Sequence, residues 1–532
     1  MFRFVSAVLI CGLHLFANSV FAGSLLVTED KLTASDAAAN DWFGDVVAIS
    51  GDRLVVGARL DDDKGTNSGS AYVFVRSGDT WTEEDKLTAI DGAADDNFGS
   101  SVAIDGDTVV VGAFGDDDKG DDSGSVYVFE RLGSAWAFKQ KIVVVEGAAG
   151  DVFGGNVTIS GDTLVASARL NDDTGPNSGS VYVFVRSGGI WSLQQKLTAS
   201  DAAAGDLFGA SVAVDGDTLV VGANGNDDEG SSSGSAYVFV RSGTTWSEQA
   251  KLTANDAALG DQFGNSVALS GDTVAVGAFR SDDAGFFSGS AYVFVRSGSS
   301  WKQQTKLTAN DAAEGDEFGG SVALSGDTVV VGSRDDDDAG TNSGSAYVFV
   351  RSGTKWTLLK KLTASDAGAV DNFGGAVALS GKTVVVGARL WDGLSSNTNS
   401  GAVYALKLLF QFQGKVTGTG FCELTTPGTG KKTKLKDPAS ITIDTSRFPE
   451  ITADLIIPGI TNSIPLTGVA LHKNPKSGVF QLFGDNIDNE AALSGTFKVN
   501  KKTGIWTVLS GKIQMKDLGG DLCTFAGKFK LK

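Results

Sequence analysis

The dipeptide Phe-Gly returns every 55 residues, at Phe43, Phe98, Phe153, Phe208, Phe263, Phe318 and Phe373, and the residues around it return with it. A period that long, filled with short alternating runs and Gly-rich turns, describes a small sheet that buries its faces only against its neighbours. Seven such units account for most of a 532-residue chain. The chain is longer than one hydrophobic core normally serves, so a second domain is expected beside the repeats.

Each unit reads as four strands. In the first, 41–89, the run 43–50 alternates Val47 and Ile49 with Ala48, giving a large-residue face and a small-residue face that can pack on one another between units. Gly51-Asp52 is a tight hairpin signal, and Leu54-Val55-Val56-Gly57-Ala58 returns as the second strand. A polar loop, 61–68, precedes Ser70 to Arg76, which alternates aromatics with small aliphatics; Ser77-Gly78 turns the chain, and Trp81 opens a fourth strand through Lys86-Leu87-Thr88. Seven such meanders predict an all-β fold, a seven-bladed β-propeller of four-stranded blades over 23–408. A β-solenoid would repeat at a shorter interval and need caps, whereas this chain carries a device for closing a ring. Leu25 to Thr33 copies the fourth strand of later units, while the seventh unit ends at Tyr404 to Leu408 without one. The N-terminal strand is therefore expected to complete the last blade and protect two sheet edges.

At Phe43-Gly44 and Val56-Gly57-Ala58, and at their copies, the repeat resembles the FG-GAP repeat of integrin α-subunit propellers and of exported bacterial proteins, over about 25–408. The resemblance implies adhesion or ligand binding on the face that carries the 4-to-1 and 2-to-3 loops. Integrin-type calcium sites lie in an Asp-rich loop between strands 1 and 2, which here is only Ser50-Gly51-Asp52-Arg53 or its copies, so those sites do not carry over.

Strand alternation brings the loop entering strand 1 and the loop leaving strand 2 to one end of every blade, and both are rich in carboxylates. The entering loop supplies pairs from Asp36 and Asp41 through Asp366 and Asp371, with Glu146 and Asp151 in the third unit. The leaving loop supplies Asp61 and Asp63, Asp116 and Asp118, Asn171 and Asp173, Asn226 and Asp228, Ser281 and Asp283, and Asp336 and Asp338. An oxygen-bearing side chain two residues before an Asp, with Gly two residues later, can wrap a hard cation such as Ca2+. The same residues form Asx-turns on a hydrated face, and no complete 12-residue EF-hand loop is present. The seventh unit has only Trp391-Asp392-Gly393 and an insertion, so it should lack such a site and is the irregular point of the ring. At the opposite end, Arg76/Trp81 and its five copies place guanidinium and indole across the 3-to-4 turn, where stacking is expected. That turn only faintly resembles the Asp-box of sialidase propellers, lacking its Asp-x-Gly order.

Charge and missing parts narrow the function. Up to residue 408 the chain carries 28 Lys+Arg against 54 Asp+Glu, which repels phosphate and excludes nucleic acid as the ring's partner; cations, basic proteins and neutral glycans remain. Residues 409–532 carry 16 against 10 and read as a separate β-sandwich or barrel of unassigned family. Arg3, an apolar run to Phe16 and Val20-Phe21-Ala22 read as an export signal, 1–22, cleaved after Ala22, for a secreted, periplasmic or cell-surface protein that does not span a membrane. Cys422 and Cys523 then remain as a candidate disulfide. Without His14, His472 is the sole histidine, which leaves no Ser-His-Asp set in the repeats. The reading is a non-catalytic binder of a protein or glycan. A carbohydrate-active enzyme with a site near the seventh blade, and a purely structural surface protein, are the alternatives.

Overall fold

The computed structural model describes residues 27–393 and 399–408 with their side chains, and the backbone of further strands on either side. Two units divide the chain, residues 28–407 and residues 1–27 together with 408–532.

Seven four-stranded sheets follow the repeat. The first runs Val46–Ser50, Arg53–Ala58, Ser70–Ser77 and Thr80–Leu87, each strand antiparallel to the next. The first inner strand starts at Val46, later than the alternation suggested, while the second starts at Phe98; in both, the Phe of the Phe-Gly pair makes a contact between blades. The Phe98 amide donates to the Ser68 carbonyl at 2.9 Å, and Gly69 forms a parallel bridge to Phe98. A Cβ on Gly69 would lie far inside contact with the Phe98 carbonyl oxygen, and one on Gly57 would do the same to the Gly99 oxygen. The two glycines of the repeat are therefore where neighbouring backbones meet. The Phe43 ring is fully buried and meets Tyr72 and Phe74 edge-on, at centroid distances of 5.4 and 6.0 Å. Large and small faces interlock as expected: Val102 and Ile104 share a core with Ala48 of the preceding blade, and Val322 and Leu324 with Ala268.

The ring closes through the N-terminal strand. Ser24–Leu32 lies beside Ala402–Gln411 and completes a sheet with Thr383–Ala388 and Ala376–Ser380. Phe43 repeats the inter-blade bridge to Gly401, so the seventh and first blades meet as any other pair does. This seam has an added fastening. Asp45 forms an ion pair with Arg59 at 2.8 Å and accepts from Arg389 at 2.9 Å, and both guanidiniums pack on the Trp42 ring, 4.8 and 5.0 Å from its centroid.

In the other unit, described by its backbone, strands from Lys415–Thr425 to Leu522–Gly527 form an antiparallel sheet, and Val8–His14 pairs with Lys415–Thr425. Cys422 and Cys523 lie on Lys415–Thr425 and Leu522–Gly527, and their side chains are outside the described residues. No helix among the described residues is long and apolar enough to cross a membrane.

Candidate functional site

The two Asp-bearing loops do emerge at one end of each blade, and a lysine from strand 4 joins them. In the first blade Lys86 Nζ lies 2.6 Å from Asp36 of the entering loop, and 3.1 and 2.5 Å from Asp61 and Asp63 of the leaving loop. Lys141 repeats this with Asp91, Asp116 and Asp118 at 2.8, 2.8 and 2.7 Å. Lys361 holds Asp311 and Asp336, both at 2.9 Å, and Asp338. Beneath each lysine is a tyrosine with no exposed surface: the Tyr72 hydroxyl lies 2.8 Å from Asp36 and 3.0 Å from Asp61, its one proton shared between them, and its ring centre is 5.1 Å from the ammonium.

Strand geometry explains why these groups converge. Lys86 pairs in register with Tyr72 across strands 4 and 3, so the two side chains share one face, and Tyr72 in turn pairs with Val56. Asp61 opens the leaving loop, buried to 3% exposure, and folds it as an Asx-turn: its Oδ1 accepts from the Asp63 amide at 3.1 Å and from Ser70 Oγ at 3.0 Å. Its Oδ2 accepts from Tyr72 and Lys86. Asp116 is used in the same four ways, by the Asp118 amide, Ser125, Tyr127 and Lys141.

Where the leaving loop lacks the first carboxylate, the lysine keeps the others. Asn171 and Asn226 retain the Oδ1 bonds to the Asp173 and Asp228 amides, and Lys196 and Lys251 pair with those aspartates. Ser281 donates to Asp283, which pairs with Lys306. Lys251 also reaches Asp201, and Lys306 reaches Asp256, both at 2.7 Å. The seventh cluster is completed by the other end of the chain: Lys31 of the closing strand lies 2.5 Å from Asp366 and 3.1 Å from the centre of the Trp391 ring. The seventh blade lacks the Asp-x-Asp loop, as expected, yet has the same ammonium position.

Charge is fixed by this arrangement. Burial works against the Lys86 ammonium, but hydrogen bonds to Asp36, Asp63 and Asp61 outweigh it and raise its pKa above the ordinary lysine value. Burial likewise works against Asp36, and the bonds from Lys86 and Tyr72 outweigh it and lower its pKa. The second carboxylate of the entering loop behaves oppositely. Asp96 accepts from the Ala93 amide at 2.7 Å and is pushed up to about 6 by burial, with Asp116 adding to the rise. Asp316 is raised to about 6 for the same reasons, with Asp336 as its neighbour.

The third blade departs from the pattern at Glu146, which stands where the other blades have Asp. No ion pair joins Glu146 to Lys196 as Asp36 is joined to Lys86, and the buried Tyr182 hydroxyl has no hydrogen-bond partner, a state it shares with Tyr292 of the fifth blade. Glu146→Asp is expected to give Lys196 and Tyr182 the carboxylate that Asp201 gives Lys251 and Tyr237 in the fourth blade, and to stabilise the protein by about 1 kcal/mol, measured as a shift of the denaturation midpoint.

At the opposite end, five of the six expected stacks are present, with Arg76, Arg186, Arg241, Arg296 and Arg351 lying 5.0 to 5.3 Å from the indole centres of their tryptophans. Arg131 is drawn instead to Glu84 at 2.7 Å, and Trp136 Nε1 donates to the same carboxylate at 3.1 Å. These arginines also tie blades together, Arg241 reaching Thr163 of the preceding blade at 2.9 Å and Arg76 reaching Thr383 across the seam at 2.7 Å. Near that seam a cavity of about 230 Å³ is lined by Glu29, Asp30, Arg76, Asp79, Trp81 and Lys407, among others. Its carboxylates are committed: Glu29 accepts from Ser365 at 2.5 Å, Asp30 accepts from the Trp81 amide at 2.8 Å, and Asp79 pairs with Lys407.

The lysines and tyrosines are the members of the clusters that loop spacing alone did not supply. Their constant offsets, Tyr72 11 residues and Lys86 25 residues after Asp61, were the available signal, but both read first as strand residues.

A family model described as FG-GAP repeat matches residues 27–74, 81–129, 136–184, 191–239, 246–294, 301–349 and 356–406. Among curated proteins none matches. Among solved structures, Pyrococcus horikoshii acylaminoacyl peptidase aligns at 8% identity over 82% of this chain and 58% of that one, so less than two thirds of the enzyme is spanned, with a TM-score of 0.38. Seven matched copies take up more than half of the sequence, each holding the fourth strand of one sheet and the first three of the next, so the chain belongs to the FG-GAP repeat family.

Proposed function

We propose that this chain is an exported, non-catalytic propeller that binds a protein or glycan partner through its acidic loop face. One observation carries the reading: the scaffold residues of that face recur from blade to blade, while its tips expose apolar side chains that do not. Ile90 and Val145, 68% and 88% exposed, stand where the other entering loops have Ser or Asn. Leu259, Val370 and Phe286 are exposed on the fifth and seventh blades, and Phe286 stacks on Phe287 at 3.8 Å. Exposed apolar groups set among carboxylates are what a binding surface presents. The committed carboxylates of the seam cavity supply no free acid and base, which favours binding over glycoside hydrolysis. Export rests on residues 1–22; cleavage after Ala22 would remove Val8–His14 and leave Cys422 and Cys523 as the pair available for a disulfide.

A glycan array, read with product analysis, tests the proposal. Retained glycan without turnover, weakened at least tenfold by Phe286→Ser or Leu259→Ser at unchanged melting temperature, is the expected result. Turnover abolished by substituting seventh-blade carboxylates would replace it with the enzymatic reading.

A further inference from the structure

We infer that the cation these loops are built around is the protein's own lysine ammonium, one per blade, and that the loop face is assembled without calcium. The Asp-x-Asp spacing suits a divalent ion, and Asp36, Asp61 and Asp63 do bring ligand oxygens within 4.8 Å of one another, as do Asp91, Asp116 and Asp118. What decides the matter is how those oxygens are used. A carboxylate offers about four lone-pair sites. In Asp61 three are filled by the Asp63 amide, Ser70 and Lys86, and the fourth faces the Tyr72 hydroxyl, whose one proton is shared with Asp36; Asp116 is occupied in the same way by the equivalent groups. Calcium takes six to eight oxygens at about 2.3–2.6 Å. Here it would have to expel an ammonium lying 2.5 to 3.1 Å from three carboxylates, and break the tyrosine bonds as well.

Variation around the ring points the same way. The first position of the leaving loop is Asp in the first, second and sixth blades, Asn in the third and fourth, Ser in the fifth and Trp391 in the seventh, so the carboxylate is missing from four of the seven. The ammonium is present in all seven blades regardless, as Lys86, Lys141, Lys196, Lys251, Lys306, Lys361 and Lys31. A lysine can accept a carboxylate, an amide oxygen, a hydroxyl or an aromatic ring as neighbour; a calcium ion cannot accept the last. The seventh lysine arrives only when the ring closes, so the closing strand brings the cation as well as a sheet edge. This inference concerns what assembles the face, and it stands whichever partner the face takes.

The experiment compares melting of the mature protein in chelator and in millimolar calcium, alongside equilibrium dialysis against calcium alone. The expected result is the same melting temperature in both within about 1 °C and no saturable uptake, because a ligand of the folded state must raise it. Lys141→Met should melt several degrees lower in chelator, while Lys139→Met, at an exposed lysine outside the clusters, should not. Saturable calcium uptake by the unsubstituted protein with a raised melting temperature would overturn the inference, as would a Lys141→Met variant that melts like the parent. If that variant fails to fold, the dialysis and melting of the unsubstituted protein still decide.

Discussion

Deletion of Ser24–Leu32 is expected to abolish the monomeric, cooperatively melting propeller. The strand covers the outer edge of Ala402–Gln411, supplies Leu32 to the core shared by the seventh and first blades, and carries Lys31 to Asp366. Without it that edge presents unpaired amides and carbonyls, which recruit other chains, and Asp366 loses its ammonium partner. Light scattering after size exclusion should show oligomers or aggregate in place of monomer. Adding a synthetic peptide of residues 24–34 in trans should restore the monomer. A deletion variant that stays monomeric and melts as the parent does would show that the ring does not depend on this closure.

Alanine at Gly234 or Gly222 is expected to cost about 3 kcal/mol or more, a large loss for one methyl group. At Gly234, φ is +84° and the added Cβ would overlap the Phe263 carbonyl oxygen of the next blade; at Gly222 it would overlap the Gly264 oxygen. Backbone atoms cannot swing aside as a side chain can, so the two blades must separate. Gly243 is the control. Its φ is +63°, as left-handed as a turn requires, but nothing lies within 4 Å of the added atom. Gly243→Ala should therefore cost only the conformational part, about 1–2 kcal/mol. Chemical denaturation midpoints of the three variants check this, and equal losses at all three positions would mean that local strain, not contact between blades, makes the repeat glycines necessary.

Both predictions rest on features that could be read along the chain. A fixed spacing of Phe-Gly, alternating runs and a displaced copy of strand 4 were enough for blade number, strand order and the mode of closure, because hydrogen-bonded neighbours in a meander are also neighbours in sequence. The common end of the two acidic loops followed from alternation alone. The Arg–Trp stacks were legible too, except at Arg131, where Glu84 of the preceding blade offers a carboxylate that stacking cannot match. The start of the first inner strand was misplaced by three residues: it begins at Val46, with Phe43 bridged to Gly401.

What the chain determined by itself is the periodic architecture, which depends on residue order and the two-residue period of a strand. What only tertiary structure decided is that a lysine ammonium stands among the carboxylates of the loop face. An Asp-x-Asp-x-Gly loop has the same local geometry whether it wraps an ion or an ammonium. The choice belongs to Lys86, 25 residues away on another strand, and for the seventh blade to Lys31, 335 residues before its partner Asp366. A carboxylate's lone pairs are finite, and which groups fill them is settled only when the sheet edges come together.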